Sequence, residues 1–164
     1  MIELQTKRLL LNPINIDEAE HVTALITQNI SATTSLIPWP YKLEDARRWL
    51  SSSHPWERLG LYLDSKLIGT IGTPLSAEDE IGYFIGEEFQ NQGYMFEAAT
   101  AVINFAFENI ALNFISSSTH TQNEASIKLH EKLGFKRIRE TTHFWPNKGR
   151  DVPVILWRLE KPKV

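Results

Sequence analysis

The chain has 164 residues, 42% of them hydrophobic, with a formal net charge of −3, which suits one globular domain with a real core. It contains no cysteine, so disulfides, thiolate zinc sites and cysteine nucleophiles are excluded. No block of lysine and arginine stands out, and neither a nucleic-acid surface nor an anionic-membrane surface is expected.

The opening Met1-Ile2-Glu3-Leu4-Gln5-Thr6 lacks the basic start and long apolar stretch of a secretion signal, and no run approaches membrane-spanning length. The expectation is a soluble cytoplasmic protein of one domain, residues 1–164, with no repeat at a fixed period. Thr6 to Pro13 reads as a short strand closed by proline, and Asp17 offers an N-cap to a helix through about Gln28. The prolines of Ser35-Leu36-Ile37-Pro38-Trp39-Pro40-Tyr41 break regular structure before a second helix near Leu43 to Ser52. Leu59 to Leu63 and Leu67 to Ile71, separated by Asp64-Ser65-Lys66, have the spacing of a hairpin. A polar turn, residues 76–79, leads to a third strand, Glu80 to Gly86.

That strand runs into Gln90-Asn91-Gln92-Gly93-Tyr94-Met95-Phe96 and then a helical pattern to Asn109. Met95, Ala99, Val102, Ala106 and Ile110 form one stripe, with Phe96, Ile103 and Phe107 beside it, so this helix is expected to be buried against the sheet. A helix N-terminus leaves backbone N–H groups without intrahelical partners and carries partial positive charge. Gly93 lets the backbone approach a ligand where a Cβ would obstruct it. Strand, glycine turn and helix together read as a pyrophosphate cradle. With Phe114 to Thr119 as the next strand, the unit is βαβ, and its two strands are expected to be parallel neighbours or near-neighbours.

A second constellation lies on the helix expected from Glu124 to Leu133. At about 100° per residue, Asn123, Ser126 and His130 fall in its apolar arc, while Glu124, Lys128, Glu131 and Lys132 occupy the wet one. Taken alone, such a stripe is either an N-cap, a small filler and a satisfied buried histidine, or one wall of a polar cleft. The runs Lys136 to Thr142 and Asp151 to Leu159 close the chain as a hairpin around Pro146-Asn147-Lys148-Gly149-Arg150.

Gln90-x-x-Gly93-x-Met95 resembles the Q/R-x-x-G-x-G/A signature of the GCN5-related N-acetyltransferases (GNAT), and Asn123 to Phe135 resembles the N-x-x-S-x-x-x-x-x-K-x-G-F segment that follows it. Thr6-x-Arg8-Leu9-x-Leu11 resembles the first strand of the RimJ/RimL-type branch. The resemblance covers nearly the whole chain. It implies a GNAT fold of α+β class: a mixed, mostly antiparallel sheet of about seven strands, about four flanking helices, and a splayed parallel strand pair at the cofactor.

It further implies acetyl-CoA as cosubstrate, no metal, and direct transfer of the acetyl group to a primary amine, either a protein N-terminus or a small molecule. Backbone groups around Phe84 and Ile85 would hold the pantetheine, and Gln90, Asn91, Gln92, Gly93, Tyr94, Met95 and Phe96 the pyrophosphate. Asn123 would orient water or cofactor. His130 stands where many members carry a tyrosine acid, with Ser126 as the alternative acid and Glu80 as candidate base. Trp39 would either shape the acceptor pocket or staple its loop onto the core, Tyr83 would lie on the acceptor side, and dimers occur among the relatives. Met95 and Phe96 depart from the small residues usual after Gly93. They are the sole support for the rival reading, a coenzyme A-binding sensor or subunit without catalysis. A nucleotide phosphotransferase is disfavoured because the turn is not a G-x-x-x-x-G-K-[ST] loop.

Overall fold

The computed structural model describes residues 2–52, 58–76 and 79–163. Strands β1 (Leu4–Gln5), β2 (Leu10–Pro13), β3 (Arg58–Leu63), β4 (Lys66–Gly72) and β5 (Tyr83–Ile85) pair in that order as an antiparallel sheet. A second antiparallel sheet holds β6 (Phe114–His120), β8 (Arg150–Glu160) and β7 (Lys136–Trp145), with β8 in the middle. The mixed α+β architecture and splayed strand pair agree with the expected fold class, with eight strands in two sheets among the described residues.

Both faces of the first sheet are covered, so successive residues of β4 are buried in opposite directions. On one face Leu9, Leu11, Leu59, Leu61, Ile68 and Ile71 pack against helix α4 (Tyr94–Asn109) through Ala98, Ala99, Val102, Ala106 and Phe107. On the other, Leu67 and Phe84 pack under α1 (Ala19–Leu25), α2 (Gln28–Ala32) and α3 (Leu43–Ser51), against Val22, Ile26, Ile30 and Ala46. The last helix, α5 (Glu124–Leu133), lies along α4 and ends at Gly134, whose φ of 89° is left-handed. Phe135 N–H reaches back to His130 O at 3.0 Å there, the closing turn that a glycine at this position permits.

Two expectations are corrected. The single first helix is interrupted: Asn15, not Asp17, caps a 3-10 turn at Ile16–Glu18, α1 stops at Leu25, and Thr27 accepts Ile30 N–H to start α2. The continuous strand Glu80 to Gly86 changes partner along its length. Glu80 forms a parallel bridge with Ser116, and Ile81 N–H donates to Ser116 O at 3.0 Å. From Gly82 the chain turns to β4: Gly72 N–H donates to Gly82 O at 2.7 Å and Gly86 N–H to Ile68 O at 2.9 Å. Beyond the bridge β5 stays with β4 while β6 stays with β8, and a gap opens between the two sheets. Of the expected polar turn, residues 76–79, Ala77 and Glu78 lie outside the described residues.

Candidate active site in the gap between the sheets

The gap continues into a cleft of about 1570 Å³ that runs from the turn before α4, past β5 and α5, to the segment joining α2 and α3. That volume exceeds the few hundred to about a thousand cubic ångströms typical of small-ligand pockets, as a long ligand meeting a second one would require.

The end of the cleft nearest α4 is built on backbone. Gly93 occupies the N-cap of α4 at φ 81°, and no side chain caps the helix; Asn91 is left-handed as well, at φ 60°. The first-turn amides therefore have no intrahelical acceptor and no competing side-chain oxygen. Two side-chain amides brace the turn. Gln90 Nε2 donates to Ile85 O at 3.2 Å and Gln92 Nε2 to Glu88 O at 2.9 Å. Met95 is 7% exposed, packed into the core with its edge on the cleft wall, and Phe96 lines the cleft beneath Lys132 Nζ, 4.2 Å from the ring centre.

β5 forms the floor. Hydrogen bonding alternates along an antiparallel ladder. Because Gly82 and Gly86 direct their backbone groups at β4, Phe84 does too, and Tyr83 and Ile85 direct theirs into the gap. The backbone group expected near Phe84 and Ile85 is therefore that of Ile85, while the Phe84 ring packs on the helical face 6.4 Å from Trp49.

Facing β5, α5 presents the stripe anticipated from its periodicity. Asn123 caps the helix, its Oδ1 accepting Ser126 N–H at 3.2 Å. Tyr83 Oη lies 2.7 Å from Ser126 Oγ and 3.4 Å from His130 Nδ1. His130 itself is 1% exposed, between the rings of Trp157 and Tyr83 with Phe135 at its edge, and it does not line the cleft. Its Nδ1 sits 2.7 Å from Ser126 O. A carbonyl oxygen only accepts, so Nδ1 carries the proton. Nε2 is then free to accept from Ser117 Oγ at 2.8 Å. Ser117 Oγ is also 3.1 Å from Ile81 O, and its single proton serves one of the two at a time. Burial holds the His130 pKa below its ordinary value, against the Ser126 carbonyl, which favours the charged form. The imidazole is neutral at pH 7. Burial pushes the Tyr83 phenol up to about 12, partly offset by Ser126, so this hydroxyl keeps its proton.

The remaining end is aromatic and mixed in charge. Tyr41, Trp49 and Trp145 line it, together with Arg48, Glu80 and His120. The Glu80 carboxylate is exposed and accepts Ser118 Oγ at 2.7 Å. Burial lowers the His120 pKa, reinforced by Lys148 and Arg150. Trp39 is 50% exposed and lies outside the lining, although Pro38 and Tyr41 on either side are part of it. Asn147, at the β7–β8 turn, ties this wall down: Nδ2 donates to Thr34 O and Ile37 O, both at 2.8 Å. Sequence reasoning missed the α3 contribution, yet Asp45, Arg48, Trp49 and Ser52 recur at helical spacing and all line the cleft. Among the described residues no group of histidines and carboxylates is placed to hold a metal ion, and no helix is long and apolar enough to cross a membrane.

Residues 8–136 match the family described as Acetyltransferase (GNAT) domain. The chain belongs to the GNAT acetyltransferase family. Among curated GNAT relatives, Uncharacterized N-acetyltransferase YoaA of Bacillus subtilis (strain 168) is 27% identical, covering 98% of this chain and 97% of the relative. The crystal structure of a GNAT-family acetyltransferase from Bacillus anthracis superposes with a TM-score of 0.83 at 21% identity, covering 97% of this chain and 98% of that one. RimL, a ribosomal L7/L12 alpha-N-protein acetyltransferase solved with coenzyme A, gives 0.83 at 14% identity, with 97% and 98% covered. At these identities the structures establish the GNAT fold.

Proposed function

We propose that this acetyltransferase uses acetyl-CoA to acetylate a primary amine by direct attack with both substrates bound, and that Tyr83 is its acid. The observation that carries the reading is the protonated Tyr83 hydroxyl, 2.7 Å from Ser126 Oγ, on the gap side of a strand whose glycine turn leaves helix amides uncapped. Those uncapped amides, the left-handed Gly93 and a cleft long enough for an extended ligand suit the pyrophosphate and pantetheine of coenzyme A.

Acetyl-CoA supplies the activated acyl group. The chain's own residues supply the rest. The Ile85 N–H, directed into the gap, is the donor available to negative charge growing on a carbonyl oxygen. Tyr83 gives its proton to the departing sulfur, with Ser126 holding the hydroxyl in place. His130 is neutral, turned to its own helix and closed off from the cleft, so its part in this scheme is to position Ser126 and Tyr83. Glu80, at the opposite rim, takes the proton of the incoming amine, directly or through water.

The acceptor is either a protein N-terminus, as in RimL, or a small amine. The aromatic wall of Tyr41, Trp49 and Trp145 beside Glu80 suits a cation carried on an apolar or peptide body. The sensor reading is carried only by Met95 and Phe96, which both line the cleft; Met95 is 7% exposed and mostly packed into the core, so little of it reaches the turn. Thiol release should be followed while amines and N-terminal peptides are screened. With the best acceptor, Tyr83→Phe is expected to lower kcat about 100-fold and leave the affinity for coenzyme A within about threefold of wild type. An unchanged kcat would remove Tyr83 from the role.

A further inference from the structure

Glu97 lies in the first turn of α4, the place where its negative charge competes most directly with a bound phosphate for the positive end of the helix. It is held by residues far away in sequence. Arg8 N–H donates to Glu97 Oε1 and Arg8 Nε to Glu97 Oε2, both at 2.7 Å, and Thr6 Oγ1 donates to Oε1 at 2.6 Å. The other end of the guanidinium donates to Gln92 O at 3.0 Å and lies 4.3 Å over the Tyr94 ring. A Cβ on Gly93 would come within 3.3 Å of Arg8 Nη2. Arg8 thus grips both sides of the glycine turn, yet it does not line the cleft.

We infer that Arg8 is a positioning residue for coenzyme A: it cancels the charge of Glu97 and fixes the turn, so that the helix amides remain available to the pyrophosphate. The inference rests on the proposed use of this turn for coenzyme A. An ordinary structural clasp would need both partners. A charge-cancelling one needs Arg8 only while Glu97 is charged, which makes the two separable.

Binding of coenzyme A should be measured by titration calorimetry on the full chain, for wild type, Arg8→Gln, Arg8→Lys, Glu97→Gln and the double variant Arg8→Gln/Glu97→Gln. Arg8→Gln is expected to weaken binding about tenfold by unmasking the carboxylate. Arg8→Lys, which keeps the charge, should lose no more than about threefold. Glu97→Gln should bind at least as tightly as wild type, and the double variant should recover to within about threefold of it. Binding by Arg8→Gln equal to wild type would overturn the inference, as would a double variant as weak as the single one. Glu97→Gln decides the matter even where Arg8→Gln fails to fold: a marked loss of affinity there would mean a purely structural clasp. Wild type that binds no coenzyme A would overturn the reading of the turn and this inference with it.

Discussion

Buried at 1% exposure with three aromatic rings around it, His130 is costly to protonate. The sign follows from the shift. Its folded pKa lies below the ordinary 6.5 of the unfolded chain, so the unfolded state binds the proton first, and stability present above pH 6.5 is lost as pH falls below it. His120 is shifted in the same direction and adds to the fall. Thermal melting of His120→Asn between pH 7.5 and 5 therefore isolates the buried site: Tm should still drop below pH 6.5. A flat profile would mean that His130 charges without cost. The sequence placed His130 in the apolar arc of its helix, and that arc is where it lies. The pattern could not tell whether the ring opens to the cleft or to the core, because periodicity locates a face and the answer depends on Trp157, which arrives from β8.

The elements that set up the site differ in how openly the sequence declares them. Helix α4 begins at Tyr94 and ends at Asn109, and α5 spans Glu124–Leu133, both as their periodicity requires. An apolar face at helical spacing and a glycine at one end mark each. The interruption at Ile26 was less visible, because Thr27 is one weak cap within a run of helix-compatible residues. The change of partner at Gly82 was invisible, since alternation along a strand says nothing about its neighbour. The Arg8–Glu97 pair spans 89 residues, beyond any local signal. Asn147 belongs to the same class: its amide joins the β7–β8 turn to the chain between α2 and α3. Asn147→Ala takes the amide donor from Thr34 O and leaves Ile37 O with Ser31 Oγ alone, and should cost about 1–3 kcal/mol in chemical denaturation, with a rise in KM for the amine and little change in affinity for coenzyme A. Equal effects on both ligands would contradict a role confined to the acceptor wall.

At the scale of the whole molecule, the candidate site follows from two sheets that, among the described residues, are bridged at one place. The bridge of Glu80 with Ser116 joins them, and separate apolar clusters on the two faces of the first sheet keep its strands in place, so the gap beyond the bridge persists. The gap exposes backbone of β5 that a continuous sheet would consume, and the uncapped start of α4 stands at its end. The fold and the acetyltransferase family follow from that arrangement and from the match over residues 8–136. In the proposed reading the choice of acceptor falls to side chains of α3 and of the α2–α3 segment, which line the far end of the cleft.

The most direct test of the account is a thermal-shift titration with acetyl-CoA on wild type and Gly93→Trp. Wild type should show a saturable rise in Tm of the size set by ligand concentration over Kd. The variant, with an indole at a left-handed position beside Arg8, should show none while remaining folded. No shift in wild type at millimolar acetyl-CoA, or an equal shift in both proteins, would contradict the assignment of this turn as the cofactor cradle.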